Sequence, residues 1–243
     1  MQFAATHPLN KIRRVQIYNN IKRYRETELD KILQETGGSF VFGGPIFLSD
    51  LSACCHLKGD GVVYGAPDYH VWGMAWGADA QDYAMERLPC EADNYVECVA
   101  LVVEGEPLAA PHYQPDMGGR RPRQAIGTKA GILFSEDYDS KTPEELRDVL
   151  AAAGWDSAVM LDGGGSVCYR DRAGNGFVCD ADRVIPYYLV VHLADDVSEP
   201  DTTDGQYVVT AQSGLNIRKG PGTSFDKLGG YSYGAVVAVQ AVR

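Results

Sequence analysis

Between Thr142 and Ser166 the chain carries a helix signal, a strand signal and a turn signal in direct succession. Thr142 can cap a helix, Pro143 suits its first position, and Glu145 completes a capping box. Leu146, Val149, Leu150 and Ala153 recur at helical spacing, and Gly154 stops the run. Ala158-Val159-Met160-Leu161 then reads as a strand that runs straight into Asp162-Gly163-Gly164-Gly165-Ser166. Helix and sheet must therefore share one domain.

The rest of the first 194 residues extends that pattern. Val15-Gln16-Ile17-Tyr18 alternates like a strand, and Glu28 to Thr36 predicts a helix with Leu29, Ile32 and Leu33 on one face and Gly37 as its stop. Ser39-Phe40-Val41-Phe42 enters a turn at Gly43-Gly44-Pro45. Tyr95 to Val103 predicts one central strand, and later strands surround Cys168-Tyr169 and Tyr187 to His192. Together these predict an α+β domain, residues 1–194, with a mixed β-sheet and packed helices. Residues 195–205 are polar, acidic and aperiodic, which predicts a linker. Residues 206–243 predict a small β module. Its 38 residues fall below the size at which small folds usually stand alone, so it is read as incomplete or supported by the larger domain.

Charge narrows the functional classes. With 243 residues and a net charge of −11, generic binding to nucleic acid or anionic lipid is not expected. No apolar window approaches a membrane span, and the N-terminus has neither the basic start nor the apolar core of a secretory signal. Localisation stays open. The six cysteines show no Cys-x-x-Cys spacing and read as reduced thiols. No metal site or cofactor is predicted, and a metal requirement is left open. Asp171, Asn175, Asp180 and Asp182 lack calcium-loop spacing, and no dense His/Asp cluster marks a two-metal site.

Two segments can carry chemistry. Asp162 ends a buried strand, and the three glycines after it let a ligand approach the backbone and its amides closely. The alternative is a tight turn in which Asp162 bonds its own backbone. Arg120, Arg121 and Arg123 make a local positive island suited to bidentate phosphate binding. In an extended segment Arg121 and Arg123 share a face and Arg120 points away. The alternative is a solvated loop pairing with the acidic stretch Glu136 to Asp162. His56, Lys58 and Asp60 can share one strand face, although Asp60-Gly61 is also an ordinary hairpin turn. Glu145 is assigned to capping. His70, His112 and His192 read as structural.

Taken in order, these stretches resemble the phosphodiester glycosidase family. The likeness rests on the Gly43-Gly44 turn, His56-Leu57-Lys58-Gly59-Asp60-Gly61, Asp116-Met117-Gly118-Gly119 with Arg121 and Arg123, Ala125-Ile126-Gly127, Thr142 to Leu146, and Leu161 to Ser166. It spans residues 12–193. Phe42 stands where the family usually has Asn, and Val167 where a second Ser is common. The resemblance implies hydrolysis of a sugar-1-phosphodiester at its C–O bond. It implies Asp162, Arg121 and Arg123 as catalytic residues, and Gly163, Gly164, Gly165, Ser166, Gly43, Gly44, His56, Lys58, Asp60 and Thr128 as substrate contacts. The tail from Ser213 to Phe225 resembles a bacterial SH3 domain, which implies a bacterial cell-wall polymer such as teichoic acid as partner and substrate source. A non-catalytic wall-binding or phage-associated protein that retains the fold is the alternative. Metal-dependent P–O cleavage ranks after both.

Overall fold

The computed structural model describes residues 4–8, 11–67, 69, 71–78, 82–130, 132–194, 205–209, 214–219, 226–232 and 234–239. In chain order its elements begin with strands β1 Ala4–Pro8 and β2 Ile12–Asn19, helix α1 Leu29–Thr36, and β3 Phe40–Gly43. Then come β4 Leu57–Gly59, β5 Val62–Gly65, β6 Gly73–Trp76, β7 Tyr83–Glu86, β8 Asn94–Glu97, β9 Val99–Val103 and β10 Glu106–Pro107. β11 Arg121–Lys129, β12 Ile132–Lys141, helix α2 Pro143–Ala152, β13 Ser157–Met160, β14 Cys168–Asp171, β15 Gly176–Val178 and β16 Tyr187–Leu193 complete the larger unit. β17 Gly205–Val208, β18 Leu215–Arg218, β19 Lys227–Tyr231 and β20 Val236–Val239 follow.

The fold is mostly β. A six-stranded sheet runs β1-β12-β11-β13-β9-β10, a five-stranded sheet β15-β14-β3-β16-β2, and a second five-stranded sheet β5-β4-β8-β6-β7. Strand pairs among the described residues are antiparallel, so the mixed sheet expected from sequence is replaced by antiparallel ones. The physical reason is connectivity. Short turns and hairpins join many neighbouring strands, and these force opposite directions.

Both larger sheets are buried on two faces. Phe40, Phe42, Leu189 and Val191 face a shared core with Ile126, Val159, Leu161, Met74 and Trp76. The alternate residues Val41, Tyr188 and Val190 pack on Leu29, Ile32 and Leu33 of α1. On the six-stranded sheet, Ala158, Met160, Val99 and Leu101 pack on Leu146 and Leu150 of α2. Period-2 alternation thus divides each strand between two cores.

Helix ends follow the sequence. Gly37 closes α1 at φ 69°, donating to the Leu33 carbonyl. Thr142 accepts from the Glu145 amide while the Glu145 carboxylate accepts from the Thr142 amide. Two details differ. Val149 is solvent-facing and Ala153 lies beyond the helix, because Pro143, Leu146 and Leu150 with Trp155 already cover the sheet. The run from Tyr95 to Val103 is two strands in different sheets, since every residue from 94 to 102 is buried and uniform apolarity hides the change of sheet at Cys98.

The chain divides into two compact units, Met1–Asp196 and Val197–Arg243. In the second, β17 pairs β20 and β18 pairs β19. The expected linker falls almost wholly on residues 195–204, outside the described residues, as does most of the motif from Ser213 to Phe225. Cys54, Cys55, Cys90 and Cys98 are free thiols. Among the described residues no helix is long and apolar enough to cross a membrane.

Candidate active site

Loop 161–167 carries the chain from β13 in the six-stranded sheet to β14 in the five-stranded sheet. Backbone bonds seat its first residues: the Leu161 amide donates to the Gln124 carbonyl (2.8 Å) and the Asp162 amide to the Gly44 carbonyl (3.1 Å). The glycines are required by close approach. A Cβ at Gly44 would lie 2.1 Å from the Tyr187 carbonyl oxygen, and one at Gly43 2.5 Å from that of Ser166. At Gly163 it would meet the Pro122 carbonyl oxygen at 2.9 Å, and Gly164 has φ 61°. Gly43 and Gly44, expected as substrate contacts, are buried and brace the loop from beneath.

Asp162 keeps one oxygen for its own loop and one for its surroundings. Oδ1 accepts from the Gly163 amide at 2.8 Å, and Oδ2 lies 3.7 Å from Arg183 Nη2. Its side chain is 20% exposed and that of Arg183 37%, so both remain reachable from solvent. Burial raises the Asp162 pKa, while the Ser166 hydroxyl, the Gly163 amide, Arg183 and Arg121 pull it back. Ser166 is fully buried, and its Oγ accepts from Arg183 Nε at 2.6 Å. The amides of Gly164 and Gly165 lie outside the hydrogen bonds made among the described residues. Val167 is fully buried, so the position where the family often has a second Ser belongs here to the core.

Arg121 and Arg123 both reach the field of Asp162. Both side chains lie along the glycine loop: a Cβ at Gly163 would meet Arg123 Nη1 at 3.4 Å and one at Gly164 would meet Arg121 Cδ at 3.8 Å. The register shift between them places the extra residue on β12, opposite Pro122. Arg123 is 2% exposed; its Nε donates to the Lys141 carbonyl (3.0 Å) and its Nη2 to those of Met117 (2.5 Å) and Gly119 (2.6 Å). Burial, then the charge of Arg121, lowers its pKa to about 10. This guanidinium ties loop 117–119 to the sheet through Nε and Nη2. Arg121 is half-buried and donates to the Asp116 carbonyl at 2.5 Å. Arg120 pairs with Glu145 at the helix start, so the expectation of charge pairing holds for that arginine.

Other expected contacts lie elsewhere. Thr128 sits at the far end of β11, its hydroxyl 2.7 Å from that of Ser157, five residues before Asp162 and roughly 16 Å away along the strand. His56 meets the Tyr95 ring edge-on, and its amide donates to Glu97. Lys58 lies on β4 opposite Tyr95. Asp60, at φ 49°, forms with Gly61 the two-residue turn of the β4–β5 hairpin and pairs with Arg14 at 2.6 Å. Among the described residues no hydrogen bond or ion pair joins these three to Asp162, Arg121 or Arg183. The reason is that β4 belongs to the third sheet. His70 lies outside the described residues.

The residue missed from sequence is Arg183. It lies in an acidic segment with Asp180 and Asp182, just before the buried strand β16, and a single cation in that setting was the available signal. Its guanidinium also stands over the Phe47 ring, 5.4 Å from the centroid. The assembled site is one carboxylate facing three guanidinium groups across a glycine loop. Such a site can hold an anion beside a centre of developing positive charge. Among the described residues no group of three or more His, Cys, Asp or Glu side chains is arranged to hold a metal ion.

No sequence-family profile matches the chain, and no curated protein does. Among solved structures it is similar to the catalytic domain of zebrafish N-acetylglucosamine-1-phosphodiester alpha-N-acetylglucosaminidase, auto-inhibited by its pro-peptide, with TM-score 0.57 and 16% identity over 79% of this chain and 83% of that one. It is also similar to a hypothetical protein from Synechocystis, with TM-score 0.63 and 10% identity over 78% of this chain and 58% of that one. At these identities the likeness establishes the fold alone.

Proposed function

We propose that the chain hydrolyses phosphodiester-linked glycosides at the anomeric C–O bond. The observation that carries this reading is the pairing of Asp162 with Arg183 at 3.7 Å on the glycine loop, with Arg121 adding to the same field. In a sugar-1-phosphodiester the leaving group departs as a stabilised phosphate anion and needs little protonation, so charge to hold it matters more than a dedicated acid. Arg183 and Arg121 supply that charge. The Asp162 carboxylate stabilises the oxocarbenium character at the anomeric carbon or activates the attacking water. The Gly164 and Gly165 amides and the Ser166 region line the approach. The zebrafish glycosidase, which shares the fold, gives the reading its chemical precedent.

Cell-wall polymer is the proposed source of substrate, on the resemblance of the tail to bacterial SH3 domains. In the same proposal the chain is an α+β catalytic domain joined by the 195–205 linker to that module. The competing reading is a binding protein without turnover. Phe42, fully buried and stacked 5.7 Å from Phe40 where the family usually has Asn, is what favours it.

One experiment separates them. A panel of sugar-1-phosphodiesters and purified teichoic acid is incubated in ¹⁸O-water. Label in the released sugar supports C–O hydrolysis, and label in phosphate points to P–O cleavage. Binding without release leaves only the adhesive reading. Cosedimentation with purified walls, with and without residues 197–243, tests the module.

A further inference from the structure

The segment before α1 clamps the loop that bears Arg183. Arg25 pairs with Asp182 at 2.8 Å and bridges Val184, the Glu26 amide donates to the Arg183 carbonyl at 3.1 Å, and the Thr27 hydroxyl donates to the Ala181 carbonyl at 3.3 Å. Between these ties the Glu26 side chain turns inward. It is fully buried, and although the Asp180 amide is directed at it, neither carboxyl oxygen completes a well-formed hydrogen bond. The groups that face it are Arg183 and Asp180 from the clamped loop, Asp162 from the end of β13, and the buried Tyr188 hydroxyl on β16.

A buried carboxyl so poorly supplied with donors stays neutral unless a cation attends it, and the cation within its field is Arg183. That guanidinium already serves Ser166 and Asp162. We infer that Glu26 is a positioning residue that gates the hold of Arg183 on an anion. Uncharged, Glu26 leaves the guanidinium to Asp162 and the incoming anion; charged, it competes for the guanidinium and weakens that hold. The inference rests on the proposed role of Arg183 as an anion holder.

Burial fits this gate. It pushes the Glu26 carboxyl up to about 8, with Asp180 and Asp162 adding to the rise and the Asp180 amide and Arg183 opposing it. The carboxyl is then neutral at neutral pH and ionises within the stability range of most proteins.

Sulfate, whose charge is constant from pH 6 to 9, is the probe. Its affinity for the full chain is measured by calorimetry across that range for the native protein, Glu26→Gln and Glu26→Leu. The native affinity is expected to fall on the order of tenfold between pH 6.5 and 9, one added charge beside the site being of that size. Both variants should lose the fall and match the native affinity at pH 6.5. A fall that persists in both variants overturns the inference, and so does a native protein that binds no sulfate at pH 6.5. A weaker affinity at every pH with the slope intact marks a structural role only, which also overturns it. If sulfate binding is gated but no sugar-1-phosphodiester is cleaved, the hydrolase reading fails and the gate stands.

Discussion

Arg183 Nε donates to Ser166 Oγ at 2.6 Å while its Nη2 stands 3.7 Å from Asp162 Oδ2. One guanidinium therefore touches both ends of the Asp162–Ser166 loop. It fixes the loop that carries the carboxylate and supplies the charge that faces it.

Removing that group should be costly in two ways. Arg183→Ala is expected to lower kcat/KM for a sugar-1-phosphodiester by on the order of 10²- to 10³-fold. Arg183→Lys should recover only part of this, because an ammonium cannot keep the Ser166 and Asp162 directions at once. Full recovery with Lys in steady-state kinetics would show that positive charge alone suffices.

Arg121 and Arg123 should separate cleanly. Arg123→Met leaves three backbone carbonyls without their donor and is expected to destabilise the fold by about 2–4 kcal/mol in urea unfolding. Arg121→Met should change stability by less than about 1 kcal/mol while raising KM. Equal losses of stability would mean that both arginines are structural.

Glycines of the loop, of the turn beneath it and of the β4–β5 hairpin can be graded by what a methyl group would meet. Gly44→Ala, 2.1 Å from a backbone oxygen, should lower Tm most, and Gly163→Ala, at 2.9 Å, should cost about 1–3 kcal/mol and raise KM. Gly61→Ala meets nothing within 4 Å, and its φ of 78° should cost only about 1–2 kcal/mol with activity intact. Thermal melts and kinetics on the three variants check the order.

Glu26 makes a pH prediction about stability. Its folded pKa of about 8 lies above the ordinary value of 4.5, so the folded state holds the proton more tightly than the unfolded chain. Stability is full at low pH, falls as pH rises from about 4.5 toward 8, and changes no further above that from this group. Glu26→Gln removes the loss. Its stability advantage should therefore grow through this window to on the order of 4 kcal/mol at pH 8, measured by urea unfolding at several pH values.

The local pieces were legible along the chain. The capping box at Thr142, the stop at Gly37, the Asp60-Gly61 turn and the loop at Asp162 are all decided by residues within a few positions of one another, and short-range hydrogen bonds and backbone sterics suffice to specify them. Asp162 and the arginine-rich strand also stand out along the chain as residue types suited to the proposed chemistry. Which of those pieces meet was set by the way the sheets stack. Loop 117–119 covered Arg123 and left Arg121 half-exposed, and the β4 hairpin carried His56, Lys58 and Asp60 into another sheet. The crossing from β13 to β14 brought Asp162 beside Arg183, with Glu26, far away along the chain, buried behind it. Contacts of that kind depend on how whole sheets stack and on which charges the stacking strips of water, and no spacing along the chain records either.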